Sequence, residues 1–455
     1  MNTKIRKITA LTLAILTVGA FTSCGEDKPE DIRDSQEEAE NDTPADEPIT
    51  LTLDTPYNIG SLASAVAEYN RSQDDYIIEL KSRYTTSEFQ EDPELWKKSF
   101  NELKLDMVSG KTADIIAVEP HLMGMFVDLG MFTDMYALME QYDGVKKEEL
   151  LPNILEGFEV DGELPAISYG FYIRTAAAKT RYVGEDAESW TPEQAMAAYN
   201  AMPDDLTFLQ DGDTSQLVWY MTKTAQFSYI DEESSTCNFT DSSFVDMLEL
   251  ACGNPKGGNI GEDDMVKQLI LNAFGGQAAD FYSQFGGEDV TFVGFPSEDG
   301  YGAAGSSAMM FGISESCQNK EGAWDFICYL LSKRYQRDLL ESDMNRYFPI
   351  LKEVFDEQAF EQDTEALSHD NMWYFLVQTY ENNPDADLTP EQAQQKLYDY
   401  LTTLKFTPYY GRYGTTELEN IISEECQAAA AGGSTAQECA DLLQNRISIY
   451  LSERA

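Results

Sequence analysis

The residue types that most often carry chemistry are sparse in this chain. It has two histidines, His121 and His369, far apart in sequence. It has no G-x-S-x-G turn, no H-E-x-x-H helix and no paired-histidine spacing. Gly110-Lys111-Thr112 has the ending of a phosphate loop, but Leu105 stands where such a loop needs its first glycine, and the segment follows a helical stripe rather than a strand. Asp385 and Asp387 do not open a calcium loop, because its sixth position is Pro390 and a glycine is needed to make the turn. A glycosidase needs two carboxylates across one cleft. With 81 acidic residues against 31 basic ones, a nearby acidic pair carries no signal. The expectation is a protein that is not an enzyme. The formal charge of −50 also excludes a nucleic-acid partner, since a phosphate backbone attracts basic surfaces.

The cysteines divide into one and six. Lys4, Arg6 and Lys7 precede an uncharged, apolar or small stretch from Ile8 to Thr22. Its length suits a signal peptide and is short for a membrane span. It ends in Phe21-Thr22-Ser23-Cys24-Gly25, which resembles the lipobox of bacterial lipoproteins, with Phe21 where leucine is usual. Residues 1–23 are then a signal peptide and Cys24 the lipidation site. Gly25 to Pro48 holds eleven acidic residues, two basic ones and three prolines. Such a stretch cannot bury enough surface to offset the entropy of ordering it, so 24–48 reads as an acidic tether. The other six cysteines form no CxxC pair and no Cys/His cluster, so neither a metal nor a cofactor is expected. An exported compartment permits disulfides among them, and buried thiols are the alternative.

About 400 residues remain, which is more than one hydrophobic core and suggests two domains. Ile49 to Leu53 alternates as a strand, Ser61 to Asn70 is helical with Leu62, Val66 and Tyr69 on one face, and Tyr76 to Tyr84 alternates again. Asp92-Pro93 starts a helix with a stripe of Trp96, Phe100, Leu103 and Met107, and Ala113 to Val118 is a short apolar strand. The order β-α-β-α-β implies an α/β fold with a parallel sheet. Ligands sit outside the carboxyl ends of such strands, so the loops after Leu53 and Val118 should face one.

Further along, Thr191-Pro192 and Thr389-Pro390, each followed by Glu and Gln, are helix starts. Thr291 to Pro296 reads as a strand entering a turn, and Gly312 to Leu331 as a loop that becomes a helix. At the C-terminus, Leu418, Ile421, Ile422, Cys426 and Ala429 form one stripe. Gly432-Gly433 stops that helix, and Cys439, Leu442, Leu443, Ile447, Tyr450 and Leu451 form a second stripe. This is an antiparallel helical hairpin. Cys426 and Cys439 are equally far from its turn, which allows a disulfide between them and equally allows two packed thiols.

Several segments together resemble the bacterial extracellular solute-binding proteins of family 1, the maltose-binding-protein-like group that serves ABC sugar importers. They are Ala67-Glu68-Tyr69-Asn70 before Tyr76 to Leu80, Gly110 to Ile116, Phe295-Pro296 with Gly300, Gly312-Ile313-Ser314, Asn319 to Phe326, and Glu424-Glu425 through Gln444-Asn445-Arg446. The resemblance spans 49 to 453. It implies a two-lobed periplasmic-binding-protein-like fold of type II, with a ligand cleft between lobes and the helical hairpin at the end. By analogy lobe one is 49–170 with 303–346, and lobe two is 171–302 with 347–455. The chain would cross near Pro165 to Thr175, near Tyr301 to Phe311 and near Arg346 to Leu351.

The implied function is capture of a carbohydrate and its delivery to the permease subunits of an ABC importer. The protein would be a monomer, held on the outer face of the cell membrane by its lipid anchor alone. A peptide, polyamine or other small solute is the alternative ligand. A sugar needs flat apolar faces beside polar groups. Tyr57 and Asn58 after the first strand, Glu119 after the third, and Tyr169, Phe171 and Tyr172 near the first crossover are candidates to line the cleft. Trp219, Tyr301, Trp373, Tyr409 and Tyr410 are further candidates. For each aromatic residue the alternative is plain core packing, and Trp324 is expected in the core.

Overall fold

A computed structural model describes residues 47–57, 60–92, 95–185, 187, 189–201, 229–231, 234–253, 266–274, 285, 287–297, 302–307, 309–341, 347–360, 382–383, 386–408 and 416–453. Its strands are β1 (Ile49–Tyr57), β2 (Tyr76–Tyr84), β3 (Ile115–Val118), β4 (Gly170–Lys179), β5 (Ile230–Asp231) and β6 (Thr236–Cys237). They continue with β7 (Val266–Leu271), β8 (Val290–Phe292), β9 (Ala303–Ser306), β10 (Met310–Ile313), β11 (Phe348–Pro349) and β12 (Phe406–Pro408).

The first sheet has the order β10-β3-β1-β2. β1 runs parallel to both β2 and β3, as the β-α-β-α-β order predicts, and β10 closes the edge antiparallel to β3. All of β3 is buried, as suits a strand with both faces covered. β1 is longer than its apolar alternation suggests and runs on to Tyr57, through Pro56. The ladder to β2 pairs Thr55 with Ser82 and Tyr57 with Tyr84; Pro56, which has no N–H to donate, is skipped. Ala113 and Asp114 lie before β3 rather than in it. The Asp114 carboxylate accepts from the Thr52 N–H at 2.8 Å and its hydroxyl at 2.9 Å, so side-chain bonds replace ladder bonds there.

The crossover helices are Gly60–Ser72 and Leu95–Val108, with Leu62, Val66, Tyr69, Phe100, Leu103 and Met107 buried. Asn70 clamps the first to β2, donating to the Ile78 carbonyl at 3.0 Å and accepting from the Ile78 N–H at 2.9 Å. Tyr69 donates to Asp325 at 2.7 Å, on the helix Lys320–Leu330. That helix carries Trp324 in the core, as expected. It also passes so close to the sheet that a Cβ on Gly322 would meet the Tyr76 ring at 2.5 Å and Leu51 at 2.9 Å. Gly312 and Ile313, expected in a loop, are the end of β10; their N-terminal neighbours Met310 and Phe311 supply the apolar run that makes the strand.

The second sheet is built on β4, with antiparallel partners β11, β9, β8 and β7, and with β12 parallel to β9. Residues 303–306, expected to open the return to lobe one, belong to this second sheet. The chain changes sheets between Ser306 and Met310. β5 and β6 form a separate pair. Both predicted helix starts are capping boxes: Gln194 N–H donates to Thr191 Oγ1 at 3.2 Å and Gln392 N–H to Thr389 Oγ1 at 3.3 Å.

The C-terminal hairpin is Thr416–Ala430 and Ala436–Ser452, packed against the helix Ser242–Gly253. Leu418, Ile422, Leu443, Ile447 and Leu451 are buried there with Ala176 and Ala178 of β4. Leu442 departs from its expected stripe and is 44% exposed, because one further residue turns the helix by about 100° and puts Leu443 inward instead. No disulfide joins Cys426 and Cys439; both are buried thiols. Burial, and secondarily the nearby Cys439 thiol, push the Cys252 thiol of Ser242–Gly253 up to about 11.

Candidate functional site

The carboxyl end of β3 delivers Glu119 into the place where the crossing strands meet. Glu119 is the N-cap residue of the helix Pro120–Asp128, but its carboxylate makes no cap hydrogen bond. It lies near the Tyr347 hydroxyl. Burial first, then Tyr172 and Glu119, raise the Tyr347 phenol above its ordinary range. Tyr347 immediately precedes β11, and Tyr172 is on β4. Their ring centroids are 5.9 Å apart and tilted by 50°. The Arg174 guanidinium, two residues along the same face of β4, stands 5.6 Å from the Tyr172 ring centroid. The two strands touch backbone to backbone here. A Cβ on Gly170 would meet the Phe348 carbonyl oxygen and the Tyr347 Cβ, each at 3.0 Å.

Two tyrosines, a carboxylate and a guanidinium, all half-buried, therefore come together at the crossover. The rings offer flat faces, Tyr347 offers a hydroxyl that stays protonated, and Glu119 and Arg174 offer an acceptor and a fork of donors. This set suits a ligand with many hydroxyls. Among the described residues no group of His, Cys, Asp and Glu is placed to hold a metal.

Tyr169 is beside this cluster but packs into the joint. Its ring lies 6.0 Å from Phe311 and 5.8 Å from Tyr335, and burial raises its phenol. Phe171 points to the opposite face of β4, tilted against Phe348 and stacked on Phe355, so it is core. The β1 end carrying Tyr57 is described through its backbone pairing with Tyr84. β12 ends at Pro408 beside Gly305. Cys24, Asn58, Trp219, Tyr301, Trp373, Tyr409 and Tyr410 lie outside the described residues.

A second charged cluster sits on the first sheet. Arg83 of β2 pairs with Asp54 of β1, and at 2.7 Å with Asp106 of the Leu95–Val108 helix. Together with Lys81 and Glu102 they line an open hollow of about 510 Å³. Burial raises the Asp54 carboxyl, and Arg83 pulls against it. These charges satisfy one another and fasten the helix to two strands.

Residues 89–337, more than half of the chain, match the family described as bacterial extracellular solute-binding protein. The chain belongs to that family. Its members are binding proteins. Solved structures agree on the two-lobed fold. A family 1 extracellular solute-binding protein of Alicyclobacillus acidocaldarius is 13% identical with a TM-score of 0.55, over 90% of this chain and 100% of that one. The sugar-binding protein MalE of Xanthomonas citri is 15% identical with a TM-score of 0.54, over 89% of this chain and 98% of that one. The cyclic alpha-maltosyl-1,6-maltose binding protein of Arthrobacter globiformis is 15% identical with a TM-score of 0.50, over 89% and 100%. No curated protein matches the chain in sequence.

Sequence reasoning missed Arg174 and Tyr347 in this solute-binding chain. Both lay inside segments expected to cross between lobes. Arg174 is the one charge inside β4, whose other charged residue, Lys179, is its last, and a charge within an apolar strand is the signal that marks it.

Proposed function

We propose that this solute-binding protein captures a carbohydrate between its lobes and delivers it to the permease of an ABC importer, without catalysing any change in it. The first sheet is taken as the core of lobe one and the second sheet as the core of lobe two, with the return to lobe one after Ser306. The protein is exported, lipidated at Cys24 and held outside the cell as a monomer. The observation that carries the reading is the meeting of Glu119, from the first sheet, with Tyr172, Arg174 and Tyr347 at the crossover. A ligand seated there touches groups carried by both sheets, so it favours the closed arrangement of a hinge. The likeness to proteins whose names include sugar binding supports a carbohydrate as the ligand.

The test is a thermal-shift screen with neutral di- to pentasaccharides, and with short peptides and polyamines as separate arms. A ligand that binds only the folded chain raises its melting temperature by mass action. A rise with a saccharide, lost on Tyr172→Ala, is the expected result. A rise with peptides or polyamines alone would replace the carbohydrate reading.

A further inference from the structure

On the face of β4 opposite the crossover cluster lies a hollow. Its volume is about 400 Å³, within the range of small-molecule sites. Phe292 of β8 lines it and pairs with Ala177 of β4. Ala177 is an odd number of residues from both Tyr172 and Arg174, so it faces the opposite side of β4 from them. The hollow is therefore separate from the crossover cluster.

Its walls come from β8 and the residues after it, from the start of β9, and from the helix Pro390–Thr403 with the two residues that follow. The Tyr400 ring stacks on Phe292 with centroids 4.4 Å apart and planes 13° apart, which fixes that helix against the sheet. Tyr400 also shares a 2.7 Å hydrogen bond with Thr175.

The chain carries 81 acidic residues against 31 basic ones, yet no lining residue is acidic and two are lysines. Lys396 is held in place by Asp289 at 2.6 Å, which spends one of its three donors. Lys405 is exposed at the mouth and makes no ion pair among the described residues. The rest of the wall mixes the apolar Phe292, Val293 and Leu404 with the hydroxyls of Ser189, Thr291 and Thr403. Two lysines over a wall of mixed polarity suit a small organic anion, with its charge met by the lysines and its body by the apolar and hydroxyl groups of the wall.

We infer that this hollow binds a small organic anion, separately from any solute at the crossover. The test titrates the full chain with benzoate and with citrate by calorimetry, each in buffers matched to sodium chloride at equal ionic strength. Saturable binding of benzoate or citrate is expected, weakened about threefold or more by Lys405→Gln, as for loss of one exposed charge contact. Because Lys405 is exposed, that variant keeps the fold, and its unfolding midpoint checks this. Lys396→Gln should weaken binding as well, and Arg174→Gln should leave it unchanged. No binding above the chloride control would overturn the inference. So would binding that survives both lysine changes, or binding that Arg174→Gln removes.

Discussion

A phenol buried beside a carboxylate stays a phenol, and that decides what Tyr347 can offer a ligand. Its burial, with Tyr172 and Glu119 nearby, raises its pKa. The neutral hydroxyl donor is present below that raised value and is lost only as pH rises through it. Tyr347→Phe should therefore weaken binding of the saccharide found by screening about two- to tenfold, the worth of one neutral hydrogen bond. The difference between the two proteins should stay constant from about pH 6 to about pH 9. Calorimetry at three pH values measures this; a difference that vanishes within that range would mean that another group is titrating. Tyr347 escaped a sequence reading because aromatic residues are as common in cores as in clefts. Tyr169, Phe171 and Tyr172 are consecutive or nearly so, and only the alternation of β4 separates the one that faces the cluster from the one in the core. Once β4 is known to be a strand, a period of two sorts Phe171 from Tyr172. It does not sort Tyr169, which lies before the strand and is claimed by Phe311 and Tyr335.

At the scale of elements, most of the local grammar was readable. Capping boxes at Thr191 and Thr389, the crossover helices and the C-terminal hairpin all formed from short-range rules. The hairpin's second helix opens with a further box: Glu438 N–H donates to Thr435 Oγ1 at 3.2 Å, and Thr435 N–H donates to the Glu438 carboxylate at 2.9 Å. Thr435→Ala should cost about 1 kcal/mol in denaturant unfolding at neutral pH. The bonds from Thr435 hold the Glu438 carboxyl below its ordinary value. Its contribution is thus present above the unfolded value and is lost as pH falls through the lowered one. The stability gap between the wild-type chain and Glu438→Gln should close between about pH 5 and about pH 3. A gap that widens on acidification would contradict this. What local rules did not reach was the pairing between distant segments. The extension of β1 past Pro56 depends on β2 being alongside. The strand character of Met310 to Ile313 depends on β3, nearly 200 residues earlier. Equal spacing about the hairpin turn allowed Cys426 and Cys439 either a bond or two packed thiols, and they are two buried thiols.

For the whole molecule, the two-lobed fold goes with two sheets between which the chain passes before Gly170, between Ser306 and Met310, and before Phe348, and the motif order across the chain made this fold legible. The contact between Tyr69 and Asp325 shows why: residues of two separate motifs meet in space. At the other end of the reading stands the anchor. The small residues before Cys24, after an uncharged stretch, predict that Cys24→Ala moves the protein from the membrane fraction to the medium or periplasm. Retention of the variant in the membrane would contradict lipid anchoring.

The central claim is that a solute bound at the crossover draws the two lobes together. Small-angle scattering of the full chain, with and without a saturating saccharide from the thermal screen, tests it most directly. The account predicts a smaller radius of gyration with ligand, and no such change for Tyr172→Ala at the same concentration. An unchanged radius at demonstrated saturation, or an equal contraction in the variant, would contradict it.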